Sequence, residues 1–228
     1  MRRWLALDTS TWWGSVALIE HGPGARDARA VLEVGGRVDG SHAEHLLSWI
    51  ARLLAETGWS KSSLDAYAAT RGPGSFTGIR VGLGTAQGLA LASGRPCFGV
   101  TTLEAIAEAH GADEHDRVPV LDAGRGQLYS ARYDPAGSPP VTLRAPWVGD
   151  AAAVLEQAVA AAGTIIRGPG TSLAAQPEGG WPRLRRAAER IAGAAGRVAS
   201  LRAAAGEAPQ PLTPLYLRPP DALLKHRP

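Results

Sequence analysis

Residues 4–19, WLALDTSTWWGSVALI, contain the clearest structural pattern in the sequence. A first apolar run ends at Asp8 and a polar turn, and a second apolar run begins at Gly14. Two apolar runs joined by a short polar segment predict a β-hairpin with Asp8 at the end of its first strand. Residues 118–133, VPVLDAGRGQLYSARY, repeat this pattern with Asp122 in the position of Asp8. The repeat predicts two halves that fold alike.

Composition restricts the classes of protein to which the chain can belong. Its 228 residues are 45% hydrophobic and 20% charged, which predicts one or two domains with a sizeable core. The net charge of +3 gives no electrostatic case for a nucleic-acid or membrane binder. The single cysteine, Cys97, excludes an intrachain disulfide and suits a reducing compartment.

No secretory or membrane-spanning segment is expected. The apolar run after Arg3 stops at Asp8, which is too short for the core of a signal peptide. The sequence also lacks an uncharged apolar stretch of about 18 residues, the minimum for a membrane-spanning helix. We therefore expect a cytoplasmic protein without membrane association.

The segment after Ser41 predicts an amphipathic helix with an unusually wide apolar surface. Ser41 and Glu44 have the spacing of a capping box, and Gly58 is a suitable C-terminal stop. The sheet of the protein itself covers only one side of a helix, so the remaining apolar residues are expected to face a partner. The apolar positions are Leu46, Leu47, Trp49, Ile50, Leu53 and Leu54.

A glycine-rich loop, residues 71–78 (RGPGSFTG), opens a second predicted helix that extends from about Thr77 to Ser93. Within it, two pairs of glycines are spaced four residues apart, so each pair lies on one helix face. Glycine costs about 1 kcal/mol relative to alanine inside a helix, and four of them indicate close approach of another backbone. That backbone belongs either to the protein's own sheet or to a partner subunit. The pairs are Gly78 with Gly82 and Gly84 with Gly88.

The polar stretch after His110 suggests a boundary between two subdomains. Residues 1–112 are predicted to form the first, with the segment from about 190 to 228 packing back on it, and residues 113–189 the second. The second is expected to contain an alanine-rich helix over 150–162. Residues 181–205 predict a long helix with arginines on its outer face. Such a face is normally solvated, and RNA contact is the alternative.

Three turns, the first at Asp8–Ser10, the second at Asp122–Gly126 and the third at Gly168–Gly170, together predict an α/β fold of the actin/Hsp70-like (ASKHA) class, a duplicated ribonuclease-H-like fold in two subdomains. In that architecture the turns hold a nucleotide, because backbone N–H groups cradle anions and the aspartate holds a hydrated metal. The first turn departs from a working phosphate loop, since Trp12 and Trp13 stand where glycine is needed for close approach. A vestigial site is therefore predicted at Asp8, Thr9, Ser10, Asp122, Gly168 and Gly170.

Other chemistry-bearing motifs are incomplete. His42 and His45 form H-x-x-H rather than the H-E-x-x-H of zinc peptidases, and the sequence offers no evident third ligand. A nucleophile elbow, G-x-S-x-G, does not occur. Cys97 is expected to be buried and inert. The sequence thus predicts neither a metal site nor catalytic residues.

Five stretches resemble the bacterial TsaB family, also called YeaZ, in order and over nearly the whole chain. The run GPGSFTGIR at residues 72–80 is the most specific of them. The sequence departs from the family at Gly124 and at the two tryptophans after Ser10. The stretches are Leu7–Ser10, Ser41–Leu47, Gly72–Gly82, Leu121–Ala123 and Tyr216–Arg218.

This resemblance implies a noncatalytic scaffolding subunit that binds and activates TsaD. TsaD transfers the threonylcarbamoyl group to make N6-threonylcarbamoyladenosine in tRNA next to the anticodon. The resemblance further implies that TsaB pairs with TsaD through two N-terminal helices and, when alone, forms a homodimer through that same surface. The ATPase TsaE docks on the TsaB–TsaD pair. The subunit has no cofactor of its own, meets ATP or ADP only in the complex with TsaD and TsaE, and contacts tRNA indirectly.

The resemblance and the two helices together predict a partner or dimer interface. The alternative function is an active nucleotide-dependent phosphotransferase or ATPase with the same fold, which intact glycine turns at both phosphate positions would favour. The predicted interface residues are His42, His45, Leu46, Trp49, Ile50, Leu53, Gly78, Arg80, Val81, Gly82 and Thr85.

Overall fold

The computed structural model describes residues 1–24, 26–171, 183–209 and 212–218, and these form two five-stranded mixed sheets with helices packed on them. The first sheet has the strand order β3-β2-β1-β4-β5. The pairs β1–β2 and β2–β3 are antiparallel, and the pairs β1–β4 and β4–β5 are parallel. Its strands are β1 (Arg2–Asp8), β2 (Trp13–His21), β3 (Ala28–Arg37), β4 (Ala66–Thr70) and β5 (Cys97–Val100).

The second sheet repeats the topology of the first. Its order is β10-β9-β6-β7-β8, with β6–β7–β8 antiparallel and β6, β9 and β10 parallel. Strand β6 therefore corresponds to β1, which confirms the predicted duplication and the actin/Hsp70-like fold class. The strands are β6 (Arg117–Gly124), β7 (Gln127–Tyr133), β8 (Thr142–Asp150), β9 (Thr164–Arg167) and β10 (Leu184–Arg186).

Five α-helices and one short 3-10 helix, Lys61–Ser63, complete the described part of the chain. Helix α1 connects β3 to β4, α2 connects β4 to β5, and α4 follows β8 as α1 follows β3. None of these helices combines the length and apolar character needed to cross a bilayer. The helices are α1 (His42–Thr57), α2 (Phe76–Ser93), α3 (Thr102–His110), α4 (Ala151–Ala160) and α5 (Ala192–Ala204).

Strand β1 is buried on both faces, which explains its continuous apolar run. Trp4 and Ala6 face a central core that α3, α5 and the second sheet share, whereas Leu5 and Leu7 face the core under α1 and α2. A third, smaller core lies under α4. The central core joins the two halves.

The helix predicted over 181–205 is confirmed from Ala192 to Ala204, but the part before Ala192 is wrong. Trp181 and Pro182 lie outside the described residues, Leu184–Arg186 form strand β10, and the helix begins only at Ala192. Arg183 has a φ of 45°, and Leu184 pairs with Ile165 of β9. Tertiary strand pairing therefore overrides local helix propensity in this segment.

Of the arginines predicted on the outer face, Arg183, Arg186 and Arg190 are exposed, whereas the arginines of α5 pair with glutamates. Arg197 pairs with Glu108 at 2.9 Å, and Arg202 pairs with Glu104. Both glutamates belong to α3 and are nearly buried. Because buried carboxylates need partners, these arginines fasten α5 to α3.

The cap of α1 also differs from its prediction. The Ser41 hydroxyl accepts a hydrogen bond from the Ala43 N–H at 3.2 Å, while the Glu44 N–H donates to the Ser41 carbonyl at 3.1 Å. A capping box occurs instead at the start of α3, between Thr101 and Glu104. The S-x-x-E spacing at Ser41 fixes the start of α1 without reciprocal capping.

Candidate functional site

A cleft of about 780 Å³ lies between the two halves. Its walls bring together all three predicted turns and the N-termini of α1 and α2. From the first half come Ser10–Trp12, Ser41–His42, Gly74, Ser75, Thr77 and Gly78, and from the second half Asp122–Gly124 and Pro169–Thr171. The cleft thus lies between the turns of the two halves, the position at which a duplicated fold of this class predicts a site.

Asp8, the aspartate of the first turn, lies beneath the cleft rather than in its wall. Its side chain is 1% exposed, and its Oδ1 accepts bonds from the Ser10 N–H at 3.2 Å, the Ser10 hydroxyl at 2.6 Å and the Thr70 hydroxyl at 2.6 Å. Its Oδ2 is buried without a partner. Burial raises the pKa of Asp8, although these hydrogen bonds oppose the shift. Asp8 therefore anchors the turn and does not line the cleft.

The first turn is bound tightly to the start of α2. The Thr9 hydroxyl donates to the Gly78 carbonyl at 2.7 Å, and the Ser75 N–H donates to the Ser10 carbonyl at 2.7 Å. A Cβ on Gly78 would overlap the Thr9 carbonyl, and one on Gly82 would overlap the Thr9 hydroxyl. This glycine pair is therefore packing within the protein itself.

The other glycine pair of α2 has a different role. A Cβ on Gly84 or Gly88 would meet nothing within 4 Å. Gly78 and Gly82 therefore pack on Thr9 of the chain itself, which is the first alternative drawn from the sequence. Gly84 and Gly88 face open space, and a subunit contact there stays a prediction.

The second turn is exposed to the cleft. Asp122 is exposed and accepts a bond from the Gly124 N–H at 2.6 Å. Gly124, Arg125 and Gly126 have φ values of 74°, 56° and 75°, a conformation that glycine adopts without strain. This turn has the glycines that the first turn lacks.

The third turn divides between core and cleft. Gly168 is buried, and a Cβ there would press on Ile106 and Leu121 at 2.6 Å. Gly170 has a φ of 68° and lies in the cleft wall near Trp12, whose side chain is 67% exposed. Of the six residues of the predicted vestigial site, Ser10, Asp122 and Gly170 line the cleft, and Asp8, Thr9 and Gly168 are buried behind it.

The described residues contain no cluster of three or more His, Cys, Asp or Glu able to hold a metal ion. His42 is nearly buried, with its Nε2 2.8 Å from the Thr11 carbonyl. His45 is exposed and stacks on Trp49. Cys97 is half-buried, and burial raises its pKa to about 12.

The structure sorts the predicted interface residues by depth. Six of the eleven lie in the interior of the chain itself: His42, Leu46, Ile50, Leu53, Gly78 and Gly82. His45 and Arg80 are exposed, and Trp49, Val81 and Thr85 are half-buried. A partner approaching α1 and α2 therefore meets these last five residues, and the interface as a whole remains a prediction.

Sequence reasoning missed the most exposed apolar residue of these helices. Leu91 of α2 is 86% exposed, and Leu47 of α1 is 62% exposed. Leu91 follows Gly84 by seven residues and therefore lies on the same helix face, a signal that the sequence did contain. We call the face of α2 formed by Arg80, Gly84, Gly88 and Leu91 the docking face.

An aromatic cluster at the start of α2 could not be found from local sequence. Arg80 lies over the Phe76 ring at 3.8 Å from its centroid, and its Nε donates to the Tyr216 hydroxyl at 3.0 Å. The Phe76 and Tyr216 rings stack at 4.9 Å. Tyr216 is 136 residues from Arg80, beyond the reach of any periodicity argument.

The fold and cleft define a two-subdomain protein of the duplicated ribonuclease-H-like class, and comparisons with known proteins narrow this class. A family model described as "TsaD: tRNA N6-adenosine threonylcarbamoyltransferase" matches residues 36–162, more than half of the chain. An uncharacterized protein of Mycobacterium tuberculosis is 34% identical over 96% of this chain and 92% of its own length.

Curated relatives and solved structures agree on the family. The Escherichia coli "tRNA threonylcarbamoyladenosine biosynthesis protein TsaB" is 40% identical over 58% of this chain and 54% of its own length. A Pseudomonas aeruginosa structure described as similar to peptidase YeaZ has a TM-score of 0.75 at 29% identity, covering 96% of this chain and 100% of that chain. A second, described as YeaZ from the same organism, has a TM-score of 0.64 at 28% identity, covering 95% and 100%.

The chain belongs to the TsaB (YeaZ) family, as its motifs predicted. The alignment spans about half the length of the curated E. coli and Haemophilus influenzae relatives. The alignments with the two Pseudomonas structures span 100% of each of those chains.

Proposed function

We propose that this chain is a noncatalytic subunit that binds and activates TsaD in the biosynthesis of N6-threonylcarbamoyladenosine in tRNA. Membership of the TsaB family supports the pathway, since curated relatives from three bacteria carry that biosynthetic name. The docking face supports the proposal that the chain acts by binding TsaD, because it is a surface suited to a helix of a partner.

The exposed side of α2 is the observation that carries the proposal. Gly84, Gly88 and Leu91 form an exposed stripe opposite the buried stripe of the same helix. Glycines in open space let a second helix approach closely, and an isolated, 86% exposed leucine beside them supplies apolar area to bury. At about 25 cal/mol per Å² of apolar surface removed from water, a contact of this type favours association.

Arg80 adds polarity to one end of the docking face. Its guanidinium is held by the Phe76 ring and the Tyr216 hydroxyl, so little side-chain entropy remains to be lost when a carboxylate of the partner binds. A pre-ordered arginine at the rim favours a partner that carries an acidic residue there.

The remaining partners follow from the same proposal. TsaE docks on the TsaB–TsaD pair, tRNA is met through the complex, and the isolated chain forms a homodimer through the docking face. We assign no cofactor to the chain alone, so ATP or ADP takes part only in the complex. We also place the chain in the cytoplasm.

The geometry of the first turn favours this proposal over an active phosphotransferase. The Asp8 carboxylate is buried, hydrogen-bonded to Ser10 and Thr70, and absent from the cleft wall. In an active phosphotransferase, an aspartate that holds a metal has to reach the phosphates of a nucleotide in the cleft, and a buried carboxylate does not. Steady ATP hydrolysis by the purified chain that is lost in Asp8→Ala would establish the alternative.

The decisive experiment is a titration of TsaD with Leu91→Glu, using Val159→Glu as its matched control. Both residues are exposed aliphatics near the end of a helix, at 86% and 58% exposure, so neither change should unfold the chain. Val159 lies on α4, which follows β8 of the second sheet, whereas the docking face lies on α2 of the first half. We expect Leu91→Glu to weaken TsaD binding at least tenfold, about 1.4 kcal/mol, and to reduce tRNA modification by the reconstituted complex.

The proposal that the docking face binds TsaD is contradicted if both glutamate variants bind TsaD with the affinity of the wild type. Light scattering on the isolated chain tests the homodimer independently. Leu91→Glu should shift the chain toward monomer, whereas Val159→Glu should leave its mass unchanged.

A further inference from the structure

Residues 212–218, which we call the strap, run from helix α2 to the second turn. At its start, the Leu212 carbonyl accepts a bond from Gln87 Nε2 of α2 at 3.2 Å, and the Leu212 side chain packs against the core under α1 and α2. This end of the strap belongs to the first half.

The middle of the strap is bound to the loop before α2. The Leu215 N–H donates to the Arg71 carbonyl at 2.6 Å. Gly72 has a φ of 104°, and a Cβ there would come within 2.9 Å of the Leu215 carbonyl oxygen. The glycine that opens the loop is thus required by the passage of the strap as well as by its own conformation. Tyr216 then joins Phe76 and Arg80 in the aromatic cluster of α2.

The far end of the strap reaches the second half. Leu217 packs against the central core that the halves share. Arg218 Nη1 donates to the Ala123 carbonyl at 2.7 Å and lies 3.4 Å from the Gly124 carbonyl. Both of these residues line the cleft. A charged donor on a backbone carbonyl makes a stronger hydrogen bond than a neutral one, so this contact fixes the position of the second turn.

We infer that the strap is a positioning element that couples the docking face to the width of the cleft. Its residue Tyr216 holds Arg80 of the docking face, and two residues later Arg218 holds the second turn. A shift of α2 is transmitted through this short segment to Ala123 and Gly124. The strap acts within the isolated chain, so the inference goes beyond the proposed function and does not depend on it.

The first test measures the separation of the halves with a pair of spin labels. Ser62→Cys in the first half and Glu156→Cys on α4 provide exposed attachment sites, in a Cys97→Ser background that removes the native thiol. Pulsed electron paramagnetic resonance measures the distance between the two labels. This distance is compared between the protein with the wild-type strap and its Arg218→Ala and Arg218→Lys variants.

Arg218→Ala should broaden the distance distribution and shift its maximum to a longer distance. Arg218→Lys keeps a cationic donor and should restore most of the narrow distribution, which a general loss of packing would not explain. An unchanged distribution in a folded Arg218→Ala protein overturns the inference.

The second test asks whether the two ends of the strap communicate. Hydrogen exchange of the amides at 124–127 is compared in Tyr216→Ala and Tyr216→Phe. Loss of the ring should raise the exchange rate of these amides severalfold, while Tyr216→Phe keeps the stacking on Phe76 and should lie close to the wild type.

If the turn exchanges at the wild-type rate in Tyr216→Ala, the strap does not couple its ends. The outcome is separable from that of the proposed function, because both tests use the chain without TsaD. Failure of Leu91→Glu to affect TsaD binding would leave these results intact, and the reverse also holds.

Discussion

At the end of β1, the buried Asp8 carboxylate accepts bonds from Ser10 and Thr70, whereas the equivalent Asp122 at the end of β6 is exposed and accepts one from Gly124. The strands around them have the same order and directions. Equivalent positions in a duplicated fold have therefore acquired different physical roles. Asp8 holds the first turn to neighbouring residues through buried hydrogen bonds, whereas Asp122 belongs to an exposed loop in the cleft wall.

The neighbours of the two turns explain the difference. The first turn is covered by the start of α2, where Gly78 and Gly82 let the helix rest on Thr9. The second turn is held from outside by Arg218 of the strap. The first turn therefore keeps Asp8 and Thr9 out of the cleft, whereas the second turn, held at the Ala123 and Gly124 carbonyls, keeps Asp122 in the cleft wall.

The largest effect is expected where α2 touches the first turn. Gly78→Ala places a Cβ into the Thr9 carbonyl, a backbone atom that cannot move aside cheaply. We expect a loss of about 3 kcal/mol or more in the free energy of unfolding. Gly84→Ala on the same helix meets nothing and should stabilise the protein by about 0.5–1 kcal/mol. Urea denaturation of both variants measures the contrast, and equal stabilities would refute the assigned close contact.

Removal of each aspartate tests the contrast between the turns directly. Asp8→Ala strands the buried hydroxyl donors of Ser10 and Thr70, so we expect a loss of about 2–3 kcal/mol. Asp122→Ala removes one exposed hydrogen bond and should cost about 1 kcal/mol or less. The free energies of unfolding in urea give both values. Similar costs for the two variants would show that the turns are energetically alike.

Acid titration sharpens the role of Asp8. Because burial raises its pKa in the folded state, ionisation of Asp8 disfavours folding. The advantage of wild type over Asp8→Asn should therefore fall as the pH rises from the unfolded value of about 3.9 through the raised native pKa. Unfolding free energies across this window measure the trend.

Asp113 provides the control of opposite sign. Partial burial raises the pKa of its carboxyl, but hydrogen bonds from His110, the His115 N–H and Thr164 outweigh burial and lower the pKa to about 2. Its contribution to stability is present above about pH 3.9 and should be lost as the pH falls toward 2. If Asp8→Asn and Asp113→Asn gave the same pH trend, the burial argument for Asp8 would fail.

The smallest effect is expected for Trp12. Its side chain is 67% exposed in the cleft, so Trp12→Ala should change the free energy of unfolding by less than about 0.5 kcal/mol. Chemical denaturation followed by circular dichroism measures this change without relying on the lost fluorophore. A loss above 2 kcal/mol would show that the indole, rather than α2, closes the first turn.

Much of the fold was accessible from sequence because it depends on local patterns. The apolar–aspartate–apolar repeat predicted two equivalent hairpins, and β1–β2 and β6–β7 form them. Helix α2 was expected from Thr77 and begins one residue earlier, at Phe76. Period and turn chemistry are encoded within a few residues, so the sequence carries them directly.

The site was only partly accessible for the opposite reason. The four glycines of α2 looked alike in sequence, yet Gly78 and Gly82 pack on Thr9 while Gly84 and Gly88 face open space. Leu46 was expected at a partner surface and is 1% exposed in the core, whereas Leu47 beside it is 62% exposed. A helical period identifies a face but not the neighbours that cover it.

The sequence by itself thus determined the duplication, the positions of Asp8 and Asp122, the start of the two surface helices and the membership of the family. Only the tertiary structure decided that Asp8 is buried while Asp122 is exposed, that residues 184–186 form a strand, and that Tyr216 meets Arg80. These outcomes depend on contacts between residues many positions apart. Burial, strand pairing and side-chain partners are fixed by such contacts, whereas hairpins and helix caps are fixed by neighbours along the chain.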